Sequence, residues 1–178
     1  MKMSLLPAVV AITMIVVSGC RERPRHKRAI VESDRQFAIA GESAEALLAL
    51  PQFDCSLENV RTVSNNSSHP GKIPNSWKVE KGETYEVSGF AINRAQGSVP
   101  RAIRLVLIGK SVYAVAAETG VGRPDVAQYF ASGSFLRAGY SSEVAFDDVP
   151  VGDYQVVVTQ TEGSRALVCR TFQTISIR

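Results

Sequence analysis

The chain has 178 residues, of which 45% are hydrophobic and 21% are charged, an ordinary composition for a globular protein. Its formal net charge is +3 at pH 7, and much of the positive charge lies in the run Arg21–Arg28, so the remainder is close to neutral. This balance excludes a body that binds nucleic acid by charge, and the length fits one domain with an N-terminal extension.

The first twenty residues predict an export signal that ends at a lipid-attachment site. An apolar run, Leu5–Val17, follows Lys2 and is shorter than the roughly 20 residues that a membrane-spanning helix needs. The segment Val17–Cys20 (Val-Ser-Gly-Cys) resembles the bacterial lipobox, in which the signal is cleaved and the cysteine is acylated. We therefore predict a lipoprotein signal over residues 1–19 and lipidation of Cys20, which would anchor the protein to a membrane.

Two alternatives to lipidation stay open: secretion with an ordinary cleaved signal, and an uncleaved signal anchor. The anchor is favoured by the basic run Arg21–Arg28, because basic flanks prefer the cytoplasm. The short apolar run and the small residues before Cys20 favour lipidation. Arg21 is not the aspartate associated with inner-membrane retention of lipoproteins, so the sorting rule of enterobacteria-like cells implies the outer membrane. The face of that membrane, periplasmic or external, is left open.

Residues 20–50 are predicted to form a basic tether. The run Arg21–Arg28 cannot bury its charges, so it is either a solvated spacer or a contact for anionic envelope polymers. In such a contact each basic residue contributes about 1 kcal/mol. Ser43–Leu50 then predicts a short helix, because good helix formers follow a capping serine and Pro51 lies beyond the end. We expect this helix to pack on the edge of the domain or to remain part of the stalk.

From residue 51 to residue 178 the sequence predicts an all-β domain, because short apolar runs rich in β-branched residues recur between turn residues. The predicted strands are Trp77–Val79, Thr84–Ile92, Arg101–Ile108, Ser111–Ala117, Ser141–Phe146, Tyr154–Thr159, Arg165–Cys169 and Phe172–Ile177. Short strands at regular spacing, without long helices between them, favour a single antiparallel, immunoglobulin-like β-sandwich. A small barrel is the alternative.

The stretch Gly120–Tyr140, between two of these strands, does not have a strand pattern. It begins with glycines and Pro124, continues through the helix-like segment Asp125–Phe130 and closes on Gly139-Tyr140. Proline suits the first turn of a helix, and an aspartate at a helix start can accept hydrogen bonds from backbone N–H groups. We therefore predict a short helix in this central loop.

Apart from Cys20, the chain has two cysteines, Cys55 at the start of the domain and Cys169 in a late strand. Two cysteines in an exported domain most simply pair, and we predict this disulfide; two buried free thiols are the alternative. The bridge would close a loop of more than a hundred residues, which the chain-entropy treatment values at about 4–5 kcal/mol. Neither His26 nor His69 has ligand-like neighbours at metal spacing, so we predict no metal site and no cofactor.

From Cys55 to the C-terminus the chain resembles a small β-sandwich module of bacterial envelope proteins. The segments that carry the resemblance are Cys55 with Leu57–Val60, Val87–Ala91, Gly122–Val126 (Gly-Arg-Pro-Asp-Val), Gly139-Tyr140, Val149–Tyr154 and Cys169. This module is found in particular at the C-terminus of some multi-pass membrane glycosyltransferases. No glycosyltransferase body is present here, so no enzymatic activity carries over. The resemblance implies a non-enzymatic accessory module at the envelope, near glycans.

The central loop supplies the candidate binding residues Arg123, Asp125 and Tyr129. In a sugar-binding surface the arginine and the aspartate would form hydrogen bonds and the tyrosine ring would stack on the sugar. The alternative is structural: the loop is clamped to the body by its own polar residues, with Arg123 paired with a carboxylate or packed on Tyr129.

The expected partners are an envelope glycan or a glycan-assembly partner. The alternative is an envelope protein of a secretion or assembly apparatus. An enzyme is not expected, because no credible histidine serves Ser–His–Asp catalysis and no glycine-rich phosphate loop is present.

Overall fold

A computed structural model describes residues 35–64, 73–162 and 165–178. The predicted signal over residues 1–19, the predicted lipidation site Cys20 and the basic run Arg21–Arg28 lie outside these residues. In the described ranges, no helix has both the length and the apolar character needed to cross a membrane.

The described residues form nine β-strands, two short α-helices and a 3-10 helix, which confirms the all-β class. The strands are β1 (Ala38–Ile39), β2 (Asp54–Thr62), β3 (Ser76–Val79), β4 (Thr84–Ile92), β5 (Ala102–Ile108), β6 (Val112–Val121), β7 (Gly139–Ala145), β8 (Gly152–Glu162) and β9 (Arg165–Ile177). The helices are α1 (Ala44–Leu48), α2 (Pro124–Tyr129) and the 3-10 helix Gly133–Phe135. Within the all-β class, the choice between a sandwich and a barrel stays a prediction.

The strands follow one another in the order β2-β4-β7-β6-β5-β8-β9-β3, with β1 beside β6. Strand β6 divides this order into two halves, β2-β4-β7 and β5-β8-β9-β3, and belongs to both. Its first part pairs with β5, and its end pairs with β7 through Thr119 and Val121. Between these two residues the register shifts at Gly120, whose φ of 122° is a conformation that favours glycine. A glycine bulge therefore accompanies the passage of the chain from one half to the other.

The main core contains residues from strands of both halves and is built by alternation along the strands. On β4, for example, Tyr85, Val87 and Ala91 all belong to this core, because every second side chain of a strand points to the same face. Cys55 of β2 and Cys169 of β9 form the predicted disulfide, with 114 residues of sequence separation. The bridge ties an early strand of the body to its last one.

Residues 35–50 lie against the body, in the segment that the sequence analysis assigned to the tether. Phe37 is 2% exposed, and its ring stacks on that of Phe146 with the centroids 5.0 Å apart. Helix α1 follows Ser43, whose hydroxyl accepts a hydrogen bond from a backbone N–H of the first turn. Its Leu47 is buried in a second apolar cluster that includes Val106 of β5. The packed part of the chain therefore includes both Phe37 and α1.

Most strands differ from their predicted bounds by a few residues, and β9 and β6 show the reason. β9 is one strand of 13 residues, whereas we predicted two, because a bulge at Phe172 shifts the register and lets pairing with β8 continue on both sides. β6 continues to Val121, so the first residues of the stretch predicted to lack strand structure belong to a strand. Pairing with neighbouring strands supplies order that local sequence does not show.

The pairing of β3 with β9 is parallel, whereas we predicted an antiparallel arrangement throughout. The order of the strands explains the difference, because β2 and β3 lie at opposite ends of it. The chain crosses between them instead of turning back in a hairpin, so the direction of β3 is not fixed by a tight turn.

Candidate functional site

Helix α2 and the 3-10 helix form one layer, residues 122–138, on the outer side of β4; we call it the α2 layer. Val126 and Ala127 of α2 and Phe135 of the 3-10 helix are buried in a cluster with Ile92. Ile92 faces outward because its neighbour on β4 belongs to the main core. The α2 layer thus has a small core of its own, which fixes it to the strand beneath.

The ends of α2 follow from its residues. Pro124 takes the first helical position, as predicted, where its missing N–H would have no helical partner. At the other end the N–H of Ala131 donates to Gln128 O, and the N–H of Ser132 donates to Ala127 O. This is the Schellman pattern, in which the residue corresponding to Ala131 adopts the left-handed conformation. Ala131 has φ of 50°, although glycine is the usual residue there.

Arg123 joins the α2 layer to strand β2 through two carboxylates. Its Nη1 donates to Oε2 of Glu58 at 2.7 Å and its Nη2 to Oε1 at 3.1 Å. Its Nε donates to Oδ1 of Asp125 at 2.9 Å and its Nη2 to Oδ2 at 2.6 Å. The guanidinium lies over the ring of Phe90, 5.5 Å from its centroid. We call Arg123, Glu58 and Asp125 the clamp.

The two carboxylates of the clamp differ in their exposure to solvent. The side chain of Arg123 is 17% exposed and that of Glu58 is 28% exposed, whereas that of Asp125 is 64% exposed. The hydrogen bond to Asp125, and then that to Glu58, raises the pKa of Arg123 above its ordinary value, against the opposing effect of burial. The hydrogen bond from Arg123 lowers the pKa of Asp125 to about 2, so its carboxylate stays ionised at neutral pH.

Glu58 was missed by the sequence analysis as a functional or structural partner. The register between β2 and β4 shifts between Leu57 and Asn59, so Glu58 is the extra residue of a β-bulge. A signal did exist, since two consecutive polar residues, Glu58 and Asn59, interrupt an otherwise alternating strand. What the sequence could not show is that this bulge faces Arg123, which lies 65 residues further along the chain.

The Gly139-Tyr140 pair of the motif resemblance has packing roles. A Cβ atom on Gly139 would lie 2.8 Å from Cγ of Arg123, so the clamp needs a glycine at this position. The hydroxyl of Tyr140 donates to Ser56 O at 2.9 Å inside the protein, and burial raises the pKa of this hydroxyl. Gly89 leaves room for this bond, because a Cβ atom there would lie 1.9 Å from Ser56 O.

Tyr129 projects from the α2 layer, and 83% of its surface is exposed. Its ring meets that of Phe130 edge-on at 4.9 Å between centroids, and Phe130 meets the buried Phe135 in the same manner at 5.9 Å. Asp125 and Tyr129 are four residues apart in α2, so they lie on the same side of the helix. This side offers an apolar ring beside an ionised hydrogen-bond acceptor.

The structure therefore brings two of the three predicted binding residues together. Arg123 and Asp125 bind each other, and Arg123 pairs with a carboxylate as the structural alternative expected. The ring beneath Arg123 is Phe90, whereas that alternative named Tyr129. The roles of all three in binding stay predictions. Over the described part of the chain, no three His, Cys, Asp or Glu side chains are grouped to hold a metal ion.

No family model, no curated protein and no solved structure matches this chain. The resemblance to the envelope β-sandwich module therefore stays an expectation that rests on the motifs alone.

Proposed function

We propose that this protein is a non-enzymatic lipoprotein of the bacterial envelope. Lipidated on Cys20, it would display an immunoglobulin-like β-sandwich that binds an envelope glycan or a glycan-assembly partner through the α2 layer. The anchor rests on the Val17–Cys20 segment, and the outer membrane on the residue that follows it. The observation that supports binding is the exposed ring of Tyr129 on a helix whose other side is buried.

The exposure of Tyr129 supports a role other than folding. A ring that is 83% exposed gains little stabilisation from burial. The helix that carries it is nevertheless fixed by Val126 and Ala127 and by the clamp. Because a tyrosine has few rotatable bonds and its backbone is already ordered, a ligand would bind it at a low cost in conformational entropy.

The chemistry of the clamp supports a structural role rather than catalysis. Each nitrogen of the Arg123 guanidinium already donates to a carboxylate. A carboxylate such as that of Asp125, with its pKa held at about 2, is a weak general base at neutral pH. The polar groups of the clamp therefore serve mainly to hold the α2 layer in place.

The path of the chain supports display of Tyr129 away from the membrane. Arg35, where the described chain begins, pairs with Glu143 at 2.6 Å near the end of β7. The α2 layer comes directly before the start of β7, and Glu143 lies four residues along that strand, so the two sites are about 13 Å apart. Fully extended, residues 21–34 reach at most about 50 Å from the proposed anchor at Cys20. A tether of that reach would let the α2 layer meet a ligand away from the membrane.

The binding proposal is tested with the protein purified in detergent from membranes and applied to an array of bacterial envelope glycans. Tyr129→Ala should weaken glycan binding by about tenfold or more, while Tyr129→Phe should retain it, because the ring supplies the contact. Phe172→Asn is the matched control, since Phe172 is also an exposed aromatic residue but lies on β9. Equal binding by Tyr129→Ala and the unchanged protein, with both folded by circular dichroism, would refute a role for this surface.

The anchor is tested by mass spectrometry of the mature N-terminal peptide. We expect an N-terminal Cys20 that carries acyl chains in the unchanged protein, and no acylation of the Cys20→Ala variant. An unmodified Cys20 inside an intact leader would instead indicate the signal-anchor alternative.

A second candidate function is that of a structural or protein-interaction lipoprotein in a secretion or assembly apparatus. One observation favours it: Phe172 is 80% exposed and has φ of 59°, which is an unfavourable conformation for a bulky residue. A strained, exposed aromatic residue on a bulge is suited to contact with a protein partner. Chemical cross-linking followed by mass spectrometry separates the two functions, because a partner lost with Phe172→Asn but kept with Tyr129→Ala supports this candidate.

A further inference from the structure

The charges beside Tyr129 restrict the class of glycan that the α2 layer would bind, an inference that rests on the proposed function. We propose that this surface takes an uncharged glycan and discriminates against acidic glycans that carry uronate or phosphate groups. The exposed ring of Tyr129 would lie against the apolar C–H face of a sugar ring, and the Asp125 carboxylate would accept hydrogen bonds from sugar hydroxyls.

Most of the hydrogen-bonding capacity of the clamp arginine is already used, since four of its five N–H groups donate to Glu58 or Asp125. Its Nε, Nη1 and Nη2 each donate to an oxygen of Glu58 or Asp125, at distances of 2.6–3.1 Å for the shortest bond to each oxygen. An acidic glycan that bound Arg123 through two parallel hydrogen bonds would have to displace one of these carboxylates. The displaced carboxylate would then lack its partner, which is unfavourable for Glu58 in particular because its side chain is partly buried.

The charge of the clamp is negative, since one arginine faces two carboxylates. The neighbouring cation Arg94, which lies over the ring of Phe130, is itself 3.4 Å from the carboxylate of Asp54. Arg137 adds a positive charge where its Nη1 donates to Gly120 O of β6. On the side of α2 that carries Tyr129, however, the nearest charge along the helix is the ionised and exposed Asp125. An anion placed on the ring would be repelled by it.

Hydrogen-bonding capacity points in the same direction. A carboxylate accepts and never donates when ionised, so a ligand at Asp125 must supply donors. The hydroxyl groups of a neutral sugar do so, whereas carboxylate and phosphate groups are acceptors themselves. The phenol of Tyr129 adds one group that can donate or accept, which suits a hydroxyl equally well.

The test compares oligosaccharides of similar length on the full protein in detergent, by titration calorimetry at low ionic strength. The uncharged probes are maltoheptaose and chitin hexamer, and the acidic probe is an alginate heptamer. We expect an uncharged probe to bind at least about fivefold more tightly than the acidic one, with loss of that binding in Tyr129→Ala.

Two charge variants make the test local. Asp125→Asn removes the charge and keeps an acceptor oxygen, so it should narrow the difference between uncharged and acidic probes. Asp148→Asn removes the same net charge from an exposed turn, and it should leave the difference unchanged. An equal effect of the two variants would overturn the local argument, because net charge alone would then explain the preference.

The outcomes separate this inference from the proposed function. Tighter binding of the acidic probe, dependent on Tyr129, would overturn the inference while leaving glycan binding in place. Binding of neither class would overturn both the inference and glycan binding, and would leave a glycan-assembly partner as the ligand of the proposed function. Preference for an uncharged probe that depends on Tyr129 and is reduced by Asp125→Asn is the result we expect.

Discussion

Replacing Glu58 with glutamine should reveal how much the clamp contributes to folding. The side chain keeps its shape but loses its charge, so the two charge-assisted hydrogen bonds to Arg123 are weakened. A hydrogen bond to a charged group contributes about 1.5–3 kcal/mol to the free energy of unfolding, whereas an exposed ion pair contributes about 0–1 kcal/mol. Because the side chains of Arg123 and Glu58 are only 17% and 28% exposed, we expect Glu58→Gln to lower the free energy of unfolding by about 2 kcal/mol.

Asp125→Asn is the matched comparison within the clamp. Asp125 has the closer contact to Arg123, at 2.6 Å, and its hydrogen bond is the leading cause of the raised pKa of Arg123. Its carboxylate is nevertheless 64% exposed, so solvent screens the interaction and we expect a loss of only about 0.5 kcal/mol. Burial, rather than distance, should decide the order of the two variants.

The assay is urea unfolding of the two single variants and the double variant with the disulfide intact, followed by the fluorescence of the buried Trp77 and by circular dichroism. Glu58→Gln should lower the midpoint more than Asp125→Asn at an unchanged slope. The double variant should lose more than the sum, since Arg123 is then left without a charged partner in a partly buried position. A greater loss from Asp125→Asn than from Glu58→Gln would refute the reasoning from burial.

Further predictions concern pH and four backbone positions. Because folding lowers the pKa of Asp125 to about 2, its pairing stabilises the fold above about pH 4 and ceases to do so as pH falls toward 2; the urea midpoints of wild type and Asp125→Asn should converge over that interval. Gly89→Ala should cost about 3 kcal/mol in urea unfolding, since its Cβ would lie 1.9 Å from a carbonyl oxygen, whereas Gly133→Ala has nothing within 4 Å and should cost less than about 0.5 kcal/mol. Ala131→Gly and Phe172→Asn should each raise the thermal midpoint, by a gain of about 0.5–1 kcal/mol, because both positions have positive φ; an unchanged or lower midpoint would show that neither backbone is strained.

Much of the fold could be predicted where the local sequence of a strand or a helix determines its structure. The strand Thr84–Ile92 was predicted with the bounds that the structure gives it, because alternation along it is clear. The helix that begins at Pro124 was signalled by proline and aspartate together. The cysteine pair followed from the small number of cysteines in a domain that the sequence predicts to be exported.

Features that depend on pairing between distant strands could not be predicted in this way. The contact between Glu58 and Arg123 requires the register of β2 against β4, together with a bulge that turns one residue outward. The bulge at Phe172 likewise depends on the register between β9 and β8. The prediction from local sequence therefore divided β9 into two strands. Burial of Phe37 depends on Phe146, which lies 109 residues later in the sequence. No local pattern around Phe37 indicates this contact.

The most direct test of the central claim is a nuclear magnetic resonance titration that maps where a glycan binds. The claim is that the α2 layer, held by the clamp, presents Tyr129 as a recognition surface. With the glycan that binds most tightly on the array, we expect progressive shifts in the ring signals of Tyr129 and in the amides of residues 122–138. Shifts centred instead on Phe172, or spread over the body without a change at Tyr129, would contradict this account.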